Sequence, residues 1–458
     1  MSKAVSVIGL GKLGSPMAAC FASRGFEVVG VDLDKKKVDA INAGKAPVNE
    51  PKLQEYLDKG KGRVKATVDL EAAVRSTEIT FIVVATPSEQ GGGFSLKHTL
   101  PACEAIGKAL RSKKGFHLVV MTSTVMPGST GGAIRAALEQ ASGKRCGEDF
   151  GLCYSPEFIA LGSVIRNFLN PDFVLIGESD ARSGEMLEAM YQQVCENAPR
   201  AARMNFVNAE LTKLAVNTYV TTKISFANML ARICEKLPEA NVDDVTAALG
   251  LDTRIGPKYL KGAISYGGPC FPRDNLALAA FASQIGARAD IAKATDQFNR
   301  WQIQWLADLV HRHLPAGGTV GVLGLTYKPD TDVVEEAAGI LLARELVYRG
   351  YSVIAYDPSA GGNPAFNIGE KGRLVRTSQE CIDQASVIVL ATPWSEFREI
   401  PPEKWAGSSE SPRVIIDCWG ELAHLQGHEG VRYKRLGVFE AAERMERVER
   451  AYPAESST

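Results

Sequence analysis

The sequence lacks the features that would place it in several specialised classes of protein. Among its 458 residues, no apolar run approaches the roughly 20 residues that a membrane-spanning helix needs. The net charge is -1, so there is no basic excess to bind nucleic acid or an anionic membrane. The chain begins with a weak basic segment and a short apolar run, which predicts a first strand and not a signal peptide.

Cysteine and histidine are also arranged without the spacing of a metal site or a disulfide framework. The nine cysteines include no CxxC pair and are odd in number, so we interpret them as reduced thiols of a cytoplasmic protein. His311 and His313 are two residues apart near the end of a predicted helix. A solvated helix end explains this pair, and we expect no bound metal.

What the sequence does contain is a repeated alternation of short valine- and isoleucine-rich runs with helical stretches. In the first region the predicted strands are Val5–Ile8, Val28–Val31, Ile79–Val84, Leu118–Met121 and Phe173–Ile176. Such alternation predicts a parallel sheet with helices on both faces. From Thr319 the alternation returns, with strand, helix, and strand followed by aspartate in the same order. We therefore predict an α/β protein with two Rossmann-like doubly wound parallel-sheet domains.

The segment between these two regions has a helical pattern. From Asn208 to Leu237 there is no glycine or proline, which leaves room for about eight turns of helix. Asn241 or Asp243 is placed to cap the next helix. We predict an all-helical central domain at 205–312, between domains at 1–204 and 313–440. The charged tail at 441–458 is predicted to begin as an exposed helix, since Glu440/Arg444 and the pairs that follow are spaced i,i+4.

A GxGxxG motif directly follows the first predicted strand. Its residues that we expect to contact a cofactor are Gly9, Gly11, Lys12, Leu13 and Gly14. Glycines in this position let the backbone approach a pyrophosphate at the positive end of a helix. Asp32 ends the second strand, where its carboxylate can accept from both ribose hydroxyls and would repel a 2′-phosphate. The motif therefore predicts NAD binding in preference to NADP; the alternative is a glycine turn that serves packing alone.

The stretch YGGPCFPRD, residues 266–274, is the most informative in the chain. Cys270 follows a tight Gly-Gly-Pro turn, and the basic-acidic pair Arg273 and Asp274 comes just after it. Together with the dinucleotide motif, this indicates a dehydrogenase with a thiol nucleophile, because oxidation of an aldehyde to an acid is easier through a thioester. A packed thiol without a catalytic role is the alternative interpretation.

The second strand-helix region lacks a complete dinucleotide motif. Its segment VGVLGLTYKPDTD contains Gly321 and Gly324 but no third glycine at the required spacing, so we expect no second NAD. The crevice at its strand ends still suits a nucleotide. Lys328 is a candidate ligand for a phosphate or a sugar, or else a solvated loop lysine.

Eight segments in chain order resemble those of the nucleotide-sugar 6-dehydrogenase family. They are GLGKLG, VDLD, VATPS, TSTVMPG, SPEF, AELTKLAVNTY, YGGPCFPRD and GLTYKPDTD, and the resemblance extends over residues 3–430. It implies an NAD domain, a helical core used in homodimerisation and a nucleotide-sugar domain. It also implies the four-electron oxidation of a sugar C6 alcohol to a carboxylate, with two NAD reduced.

The resemblance also implies roles for individual residues. Cys270 matches the nucleophile that traps the aldehyde as a thiohemiacetal and then forms a thioester. Lys213 and Asn217 match a catalytic lysine and asparagine; they are spaced i,i+4 on one helix face, and apolar neighbours predict that Lys213 is buried. Asp274 matches an aspartate that positions water and the lysine. Glu157 matches a glutamate that acts as a base in thioester hydrolysis.

The remaining matches are contacts to the cofactor or the substrate. Further cofactor contacts implied by the family are Lys37, Thr86, Thr124 and Arg273, of which Thr124 also lies near the catalytic water. The implied substrate contacts are Glu157, Lys213, Tyr259, Gly267 and Arg254, the last of which comes from the neighbouring subunit, and Lys328 is added to them as the candidate from its own segment.

Three positions depart from the family pattern. Leu161 stands where a glutamate near NAD is usual, Arg273 replaces a lysine, and Glu335 replaces an arginine expected at the cofactor. The cysteine segment is of the type seen with UDP-glucose or GDP-mannose. We therefore favour oxidation of UDP-glucose to UDP-glucuronate, with GDP-mannose or a UDP-N-acetylhexosamine as alternative substrates. A two-electron dehydrogenase of the β-hydroxyacid type and a non-catalytic nucleotide-sugar binder are the competing hypotheses.

Overall fold

The computed structural model describes residues 4–439, which form two compact units. The first unit comprises the chain up to Val216 together with Leu276–Ala289. The second comprises Asn217–Asn275 and the residues from Asp290 onward. The helix predicted for the charged tail at 441–458, with its Glu440/Arg444 pair, lies outside the described residues.

The first unit is built on an eight-stranded sheet within the described part of the chain. Its strands are β1 (Ala4–Ile8), β2 (Glu27–Val31), β3 (Val64–Thr67), β4 (Ile79–Ile82), β5 (Leu118–Met121), β6 (Gly151–Tyr154), β7 (Phe173–Glu178) and β8 (Arg200–Met204). The order is β3-β2-β1-β4-β5-β6-β7-β8, and neighbouring strands are parallel apart from β6 and β7. The first six strands have the order typical of dinucleotide-binding sheets, which reverses between β1 and β4.

Helices cover both faces of this sheet. They are α1 (Gly14–Ser23), α2 (Lys35–Asn42), α3 (Leu53–Lys59), α4 (Leu70–Ser76), α5 (Thr99–Ser112), α6 (Arg135–Ser142), α7 (Val164–Leu169) and α8 (Ala181–Val194), with a π-helical turn at Thr130–Ile134. Alternate residues of β5 enter different apolar cores: Leu118 and Val120 pack on one face, Val119 and Met121 on the other. Side chains of a strand alternate between faces, so a strand buried on both sides is apolar throughout.

Four longer helices lie between the two sheets in the sequence. They are α9 (Phe206–Cys234), α10 (Val242–Leu251), α11 (Phe271–Gln284) and α12 (Asp290–His313). The predicted helical segment is therefore confirmed, although α9 begins two residues earlier than predicted because the Asn205 side chain accepts from the Asn208 N–H at 2.9 Å. Asn241, one of the two predicted caps, accepts from the Asp243 N–H at 2.9 Å. Within residues 4–439, no helix has both the length and the apolar character needed to cross a membrane.

The second unit contains a six-stranded sheet in the described region. Its strands and helices are β9 (Thr319–Leu323), α13 (Ala338–Tyr348), β10 (Ser352–Tyr356), β11 (Gly372–Leu374), α14 (Ser378–Gln384), β12 (Val387–Leu390), α15 (Ser395–Arg398), β13 (Arg413–Asp417) and β14 (Val431–Arg435). The order β11-β10-β9-β12-β13-β14 is entirely parallel and repeats that of the first six strands of the other sheet. The prediction of two related doubly wound domains is confirmed.

Candidate active site

The glycine motif forms the turn from β1 into α1. A Cβ atom at Gly14 would lie 1.8 Å from the Gly9 carbonyl oxygen, so only glycine allows helix and strand to approach this closely. A Cβ at Gly11, in contrast, would meet nothing within 4 Å. Lys12 and Leu13 are half-buried between these glycines. The turn therefore has a packed base and open space above its middle glycine, which fits a pyrophosphate against the backbone.

Asp32 follows β2 and is bound to the glycine turn. Its Oδ2 accepts from the Leu10 N–H at 2.8 Å and from Lys37 Nζ at 3.2 Å, and its Oδ1 accepts from the Asp34 N–H at 2.8 Å. Burial raises the pKa of Asp32, but the N–H groups of Asp34 and Leu10, together with Lys37, hold it below the ordinary value. The structure thus brings the predicted residues Asp32 and Lys37 together at the cofactor turn, with the carboxylate ionised.

Thr86 and Thr124, two further predicted residues, are in direct contact. The Thr86 Oγ1 donates to the Thr124 carbonyl oxygen at 2.8 Å. The loop that follows Thr124 is held by Glu210, whose carboxylate accepts from the N–H groups of Gly128 at 2.6 Å and Thr130 at 2.7 Å. Desolvation raises the pKa of this buried carboxyl. Glu210 was not predicted, although its place three residues before Lys213 in AELTKLAVN could have indicated it.

Lys213 is buried, as predicted, with only 6% of its surface exposed. Its Nζ donates to the backbone carbonyl of Glu157 at 2.7 Å and lies 4.5 Å from the centre of the Phe158 ring. The Glu157 carboxylate accepts instead from the Tyr191 hydroxyl at 3.0 Å. Desolvation raises the pKa of Glu157 to about 7, although the Tyr191 bond and the Lys213 charge oppose the rise.

A second buried glutamate fixes the loop that carries Glu157. Glu50 accepts from the N–H groups of Gly162 and Val164, each at 2.8 Å. Leu161, which departs from the family pattern, lies half-buried in this loop. The first of these N–H groups belongs to the last residue of the SPEFIALG segment and the second lies just after it, so Glu50 anchors this end of the loop. Nothing in the local sequence around Glu50 predicted this role.

In the second unit, Cys270 stands at the start of α11. It is exposed, whereas the other eight cysteines are buried. Its carbonyl accepts from the Asp274 N–H at 2.9 Å, and the buried Asp274 carboxylate accepts from the Asn217 Nδ2 at 2.6 Å. Arg273 Nε lies 3.8 Å from the same carboxylate. The helix N-terminus carries a partial positive charge, which stabilises negative charge on a sulfur placed there.

Two buried asparagines hold the segment that leads to Cys270. Asn228 accepts from the Ala263 N–H at 2.7 Å and donates to the Ile264 carbonyl at 3.0 Å. Asn299 accepts from the Tyr266 N–H and donates to the Tyr266 carbonyl, both at 2.9 Å. The amides thus take the place of a neighbouring strand, and a segment without regular secondary structure has its backbone groups paired.

The Gly-Gly turn before Cys270 packs against the segment that contains Lys328. Gly268 has φ +90°, and a Cβ there would come within 2.8 Å of the Tyr327 ring. Its N–H donates to the Glu335 carbonyl at 2.9 Å. Gly268 and Tyr327 are in contact, and the predicted substrate residues Gly267 and Lys328 are their neighbours in the chain. Lys328 is half-buried.

Arg254 and Tyr259 lie on the exposed loop after α10. The Arg254 guanidinium donates to Asp252 at 3.0 and 2.6 Å, and its side chain is 87% exposed. Tyr259 has the left-handed φ of +65° and is half-exposed. The predicted role of Arg254 toward a neighbouring subunit stays a prediction.

The predicted residues are divided between the two units. The glycine turn, Thr124, Glu157 and Lys213 belong to the first unit, whereas Asn217, Cys270 and Asp274 belong to the second. Leu161 and Glu335, two of the positions that depart from the family pattern, also belong to different units.

Comparison with known protein families gave matches along most of the chain. Residues 3–195 match the NAD-binding domain of the UDP-glucose/GDP-mannose dehydrogenase family. Residues 207–301 match the central domain of the same family, and residues 321–424 its UDP-binding domain. The three matches follow the order of the segments identified in the sequence.

Individual relatives are similar over nearly their full length. A UDP-glucose 6-dehydrogenase of Haloferax volcanii is 34% identical over 417 residues, which cover 90% of this chain and 96% of the relative. A GDP-mannose 6-dehydrogenase of Pseudomonas putida is 33% identical, covering 91% of this chain and 96% of the relative. The structure of a UDP-glucose dehydrogenase from Pyrobaculum islandicum superimposes with a TM-score of 0.86 at 32% identity, covering 96% of this chain and 98% of that one.

Proposed function

Because the chain belongs to the UDP-glucose/GDP-mannose dehydrogenase family, we propose that it oxidises the C6 hydroxyl of a nucleotide sugar to a carboxylate through a cysteine thioester. The cofactor of the family's first domain is NAD, and the glycine turn and ionised Asp32 fit it. The favoured substrate is UDP-glucose, which would yield UDP-glucuronate.

The observation that carries this proposal is the exposed Cys270 at the start of α11. The other eight cysteines are buried, as expected for structural thiols, and Cys270 alone among the nine is accessible to a substrate. Its neighbour one turn along the helix is Asp274, which is fixed by Asn217. A simple alcohol dehydrogenase has no need of a thiol, whereas oxidation beyond the aldehyde benefits from one.

In the first half of the proposed reaction, the sugar alcohol becomes an aldehyde. Bound NAD supplies the two-electron acceptor for this oxidation and for the second one. The hydroxyl releases its proton to solvent water, and the buried ammonium of Lys213 stabilises the negative charge that develops on the oxygen. Lys213 is suited to this because its Nζ is held by the Glu157 carbonyl and is shielded from water.

In the second half, the Cys270 sulfur adds to the aldehyde carbon and gives a thiohemiacetal. Oxidation of this adduct leaves a thioester. Water then attacks the thioester carbon, Glu157 accepts the proton of that water, and the cysteine leaves with the carboxylate product formed. The Asn217–Asp274 bond fixes the first turn of α11, and with it the backbone that carries the thiol.

The number of NADH molecules formed per sugar tests the proposal. With limiting UDP-glucose and excess NAD, purified protein should form about two NADH for each sugar consumed, because the alcohol and the aldehyde are each oxidised once. A yield of one NADH would contradict the thioester route and favour the two-electron dehydrogenase. If the sugar nucleotide stabilised the folded protein but no NADH formed, the result would favour a non-catalytic nucleotide-sugar binder.

GDP-mannose is the second candidate substrate. The GDP-mannose 6-dehydrogenase of Pseudomonas putida is 33% identical to this chain, against 34% for the UDP-glucose enzyme of Haloferax volcanii. Overall similarity therefore does not separate the two substrates. The NADH assay should be repeated with GDP-mannose and with UDP-N-acetylhexosamines, and the highest kcat/KM would identify the substrate.

The proposed role of Glu157 leads to a pH prediction. A general base must be ionised to accept a proton, and desolvation raises the pKa of Glu157 to about 7. Thioester hydrolysis should therefore be fast above pH 7 and fall about tenfold per pH unit below it. The measurement is the pH dependence of the hydrolysis rate in wild type and in Glu157→Gln, which should be slow throughout. If the hydrolysis rate of Glu157→Gln fell in the same way below pH 7, the fall would belong to the titration of another group.

We further propose that the chain forms a homodimer through α9. Tyr219, Phe226, Met229 and Ile233 recur at helical spacing on this helix, and Tyr219 and Phe226 are 65% and 47% exposed. A continuous exposed apolar face of this kind is typical of a contact surface. An antiparallel pair of α9 helices across a two-fold axis would bury it.

Replacement of Phe226 by glutamate should convert the dimer into a monomer. A carboxylate at the centre of the apolar face would lose its hydration on association, and that cost opposes dimer formation. Light scattering coupled to size-exclusion chromatography measures the change in mass. Tyr348→Glu is the matched control, since Tyr348 is an even more exposed aromatic residue, on α13. Equal masses for Phe226→Glu and wild type would place the contact elsewhere.

A further inference from the structure

Tyr191 makes a hydrogen bond that the family resemblance did not predict. It lies on α8 and is buried, with 3% of its surface exposed. Its hydroxyl donates to the Glu157 Oε1 at 3.0 Å. The Ser155 Oγ lies 3.1 Å from the same hydroxyl oxygen. Ser155 and Glu157 are two residues apart in the SPEF segment, so Tyr191 contacts both ends of this short stretch.

The direction of the hydrogen bonds follows from the proton inventory. A tyrosine hydroxyl has one proton, and an ionised carboxylate can only accept. If Tyr191 donates to Glu157, Ser155 must donate to Tyr191, which gives the chain Ser155 to Tyr191 to Glu157. Desolvation, together with the nearby Glu157 charge, raises the pKa of Tyr191 well above its ordinary value, so Tyr191 keeps its proton.

Of the groups that contact Glu157, Tyr191 is the one that orients its carboxylate. Lys213 binds the backbone carbonyl of Glu157 and not its carboxylate, so the ammonium does not select an orientation for the side chain. The Tyr191 ring packs edge-on against Phe168, with the ring centres 6.3 Å apart. Because the ring is fixed by packing, its hydroxyl is a fixed donor for Oε1.

We propose that Tyr191 is the positioning residue for the base Glu157: it holds Oε1 and leaves Oε2 to accept the proton of the hydrolytic water. The hydrogen bond favours the ionised carboxylate and so offsets part of the effect of burial. Ser155 supports the arrangement from the other side of the tyrosine oxygen. This inference rests on the proposed function, since it assigns a partner to the proposed base.

Tyr191→Phe tests the proposal by removing the hydroxyl and keeping the ring. The acidic limb is the pH range in which thioester hydrolysis slows as the pH falls. Without this donor, the limb should move to a pH that is higher by about one unit. The Kd for the sugar nucleotide, measured by binding without NAD, should stay unchanged, because Tyr191 is buried and contacts Glu157 and Ser155. At pH values below the limb, a rapid burst of two NADH per chain should precede slow turnover, because both oxidations come before the hydrolysis step. An unshifted limb would overturn the proposal.

Two further variants separate positioning from general damage. Ser155→Ala should shift the limb in the same direction by a smaller amount, since it weakens the donor without removing it. Tyr433→Phe is the matched control: the Tyr433 hydroxyl donates to the Asp417 carboxylate at 2.8 Å, in the second unit. Its loss should leave the limb in place. Equal shifts in Tyr191→Phe and Tyr433→Phe would contradict a specific role.

A titration without substrate makes the inference independent of turnover. Isotope-edited infrared spectra of protein labelled with ¹³C-glutamate, with Glu157→Gln subtracted, report the ionisation of Glu157 directly. The pKa of Glu157 should be higher in Tyr191→Phe than in wild type. If no sugar nucleotide were oxidised but this shift occurred, the proposed function would fail while the Tyr191–Glu157 contact stood. An unchanged titration would overturn the positioning role even in a fully active enzyme.

Discussion

Replacement of Cys270 by alanine should lower the formation of the acid product by about a thousandfold or more. Alanine removes the sulfur that would carry the thiohemiacetal and the thioester, so the aldehyde has no covalent route to the acid. Binding of NAD should be unchanged, because the glycine turn and Asp32 do not involve Cys270. The measurements are NADH yield from limiting sugar nucleotide and the affinity for NAD.

A matched thiol variant serves as the control for this prediction. Cys146 is buried in the first unit, so Cys146→Ala should leave turnover close to that of wild type. Alkylation of the folded protein is an independent test of the accessibility of the thiol. Cys270 is the exposed cysteine among the nine, so it should be labelled first. Full conversion to the acid by Cys270→Ala would exclude the covalent mechanism.

Replacement of Lys213 by methionine should lower kcat by about a thousandfold. Methionine fills a similar buried volume but carries no charge, so the proposed stabilisation of the developing oxyanion is lost. The Lys213 charge also lowers the pKa of Glu157, so the acidic limb of hydrolysis should move upward in the variant. The pH profile and single-turnover rates of NADH formation measure the two effects separately.

Lys144 provides the matched lysine control. Its Nζ also donates to a backbone carbonyl, that of Lys113, at 2.8 Å. Lys144→Met therefore removes an equivalent structural hydrogen bond without touching the proposed chemistry, and its kcat should be close to that of wild type. Similar losses in the two variants would mean that Lys213 serves the fold and not the reaction.

The sequence was sufficient for the strands with continuous β-branched and aliphatic runs. β1, β2 and β5 were predicted within one residue, because strands buried on both faces must be apolar throughout. The strands β3, β6 and β8 were not predicted. The sequences of β6 and β8, GLCY and RAARM, contain no β-branched residue, and β3 and β8 are edge strands, which need only one buried face. Tertiary pairing defines these strands.

The site was predicted where a motif names the residue and missed where only the folded chain reveals a partner. Lys213 and Asp274 were proposed from their segments, and the structure shows that both are buried, while their catalytic roles stay predictions. Glu50 and Glu210 were not, because their role is to accept backbone N–H groups from loops more than 75 residues away in sequence. Tyr191 likewise lies 34 residues after Glu157. The replacements at Leu161 and Glu335 have no explanation in the structure.

The asparagine clamps on residues 263–266 determine when the conformational entropy of the Cys270 segment is lost. Asn228 and Asn299 bind its backbone through hydrogen bonds made within the chain. Ordering these residues costs about 1–2 kcal/mol each, and that cost is met when the protein folds. In the proposed reaction, binding energy from the nucleotide sugar is then not consumed in ordering this segment, and remains available for tight association and for orienting the C6 carbon.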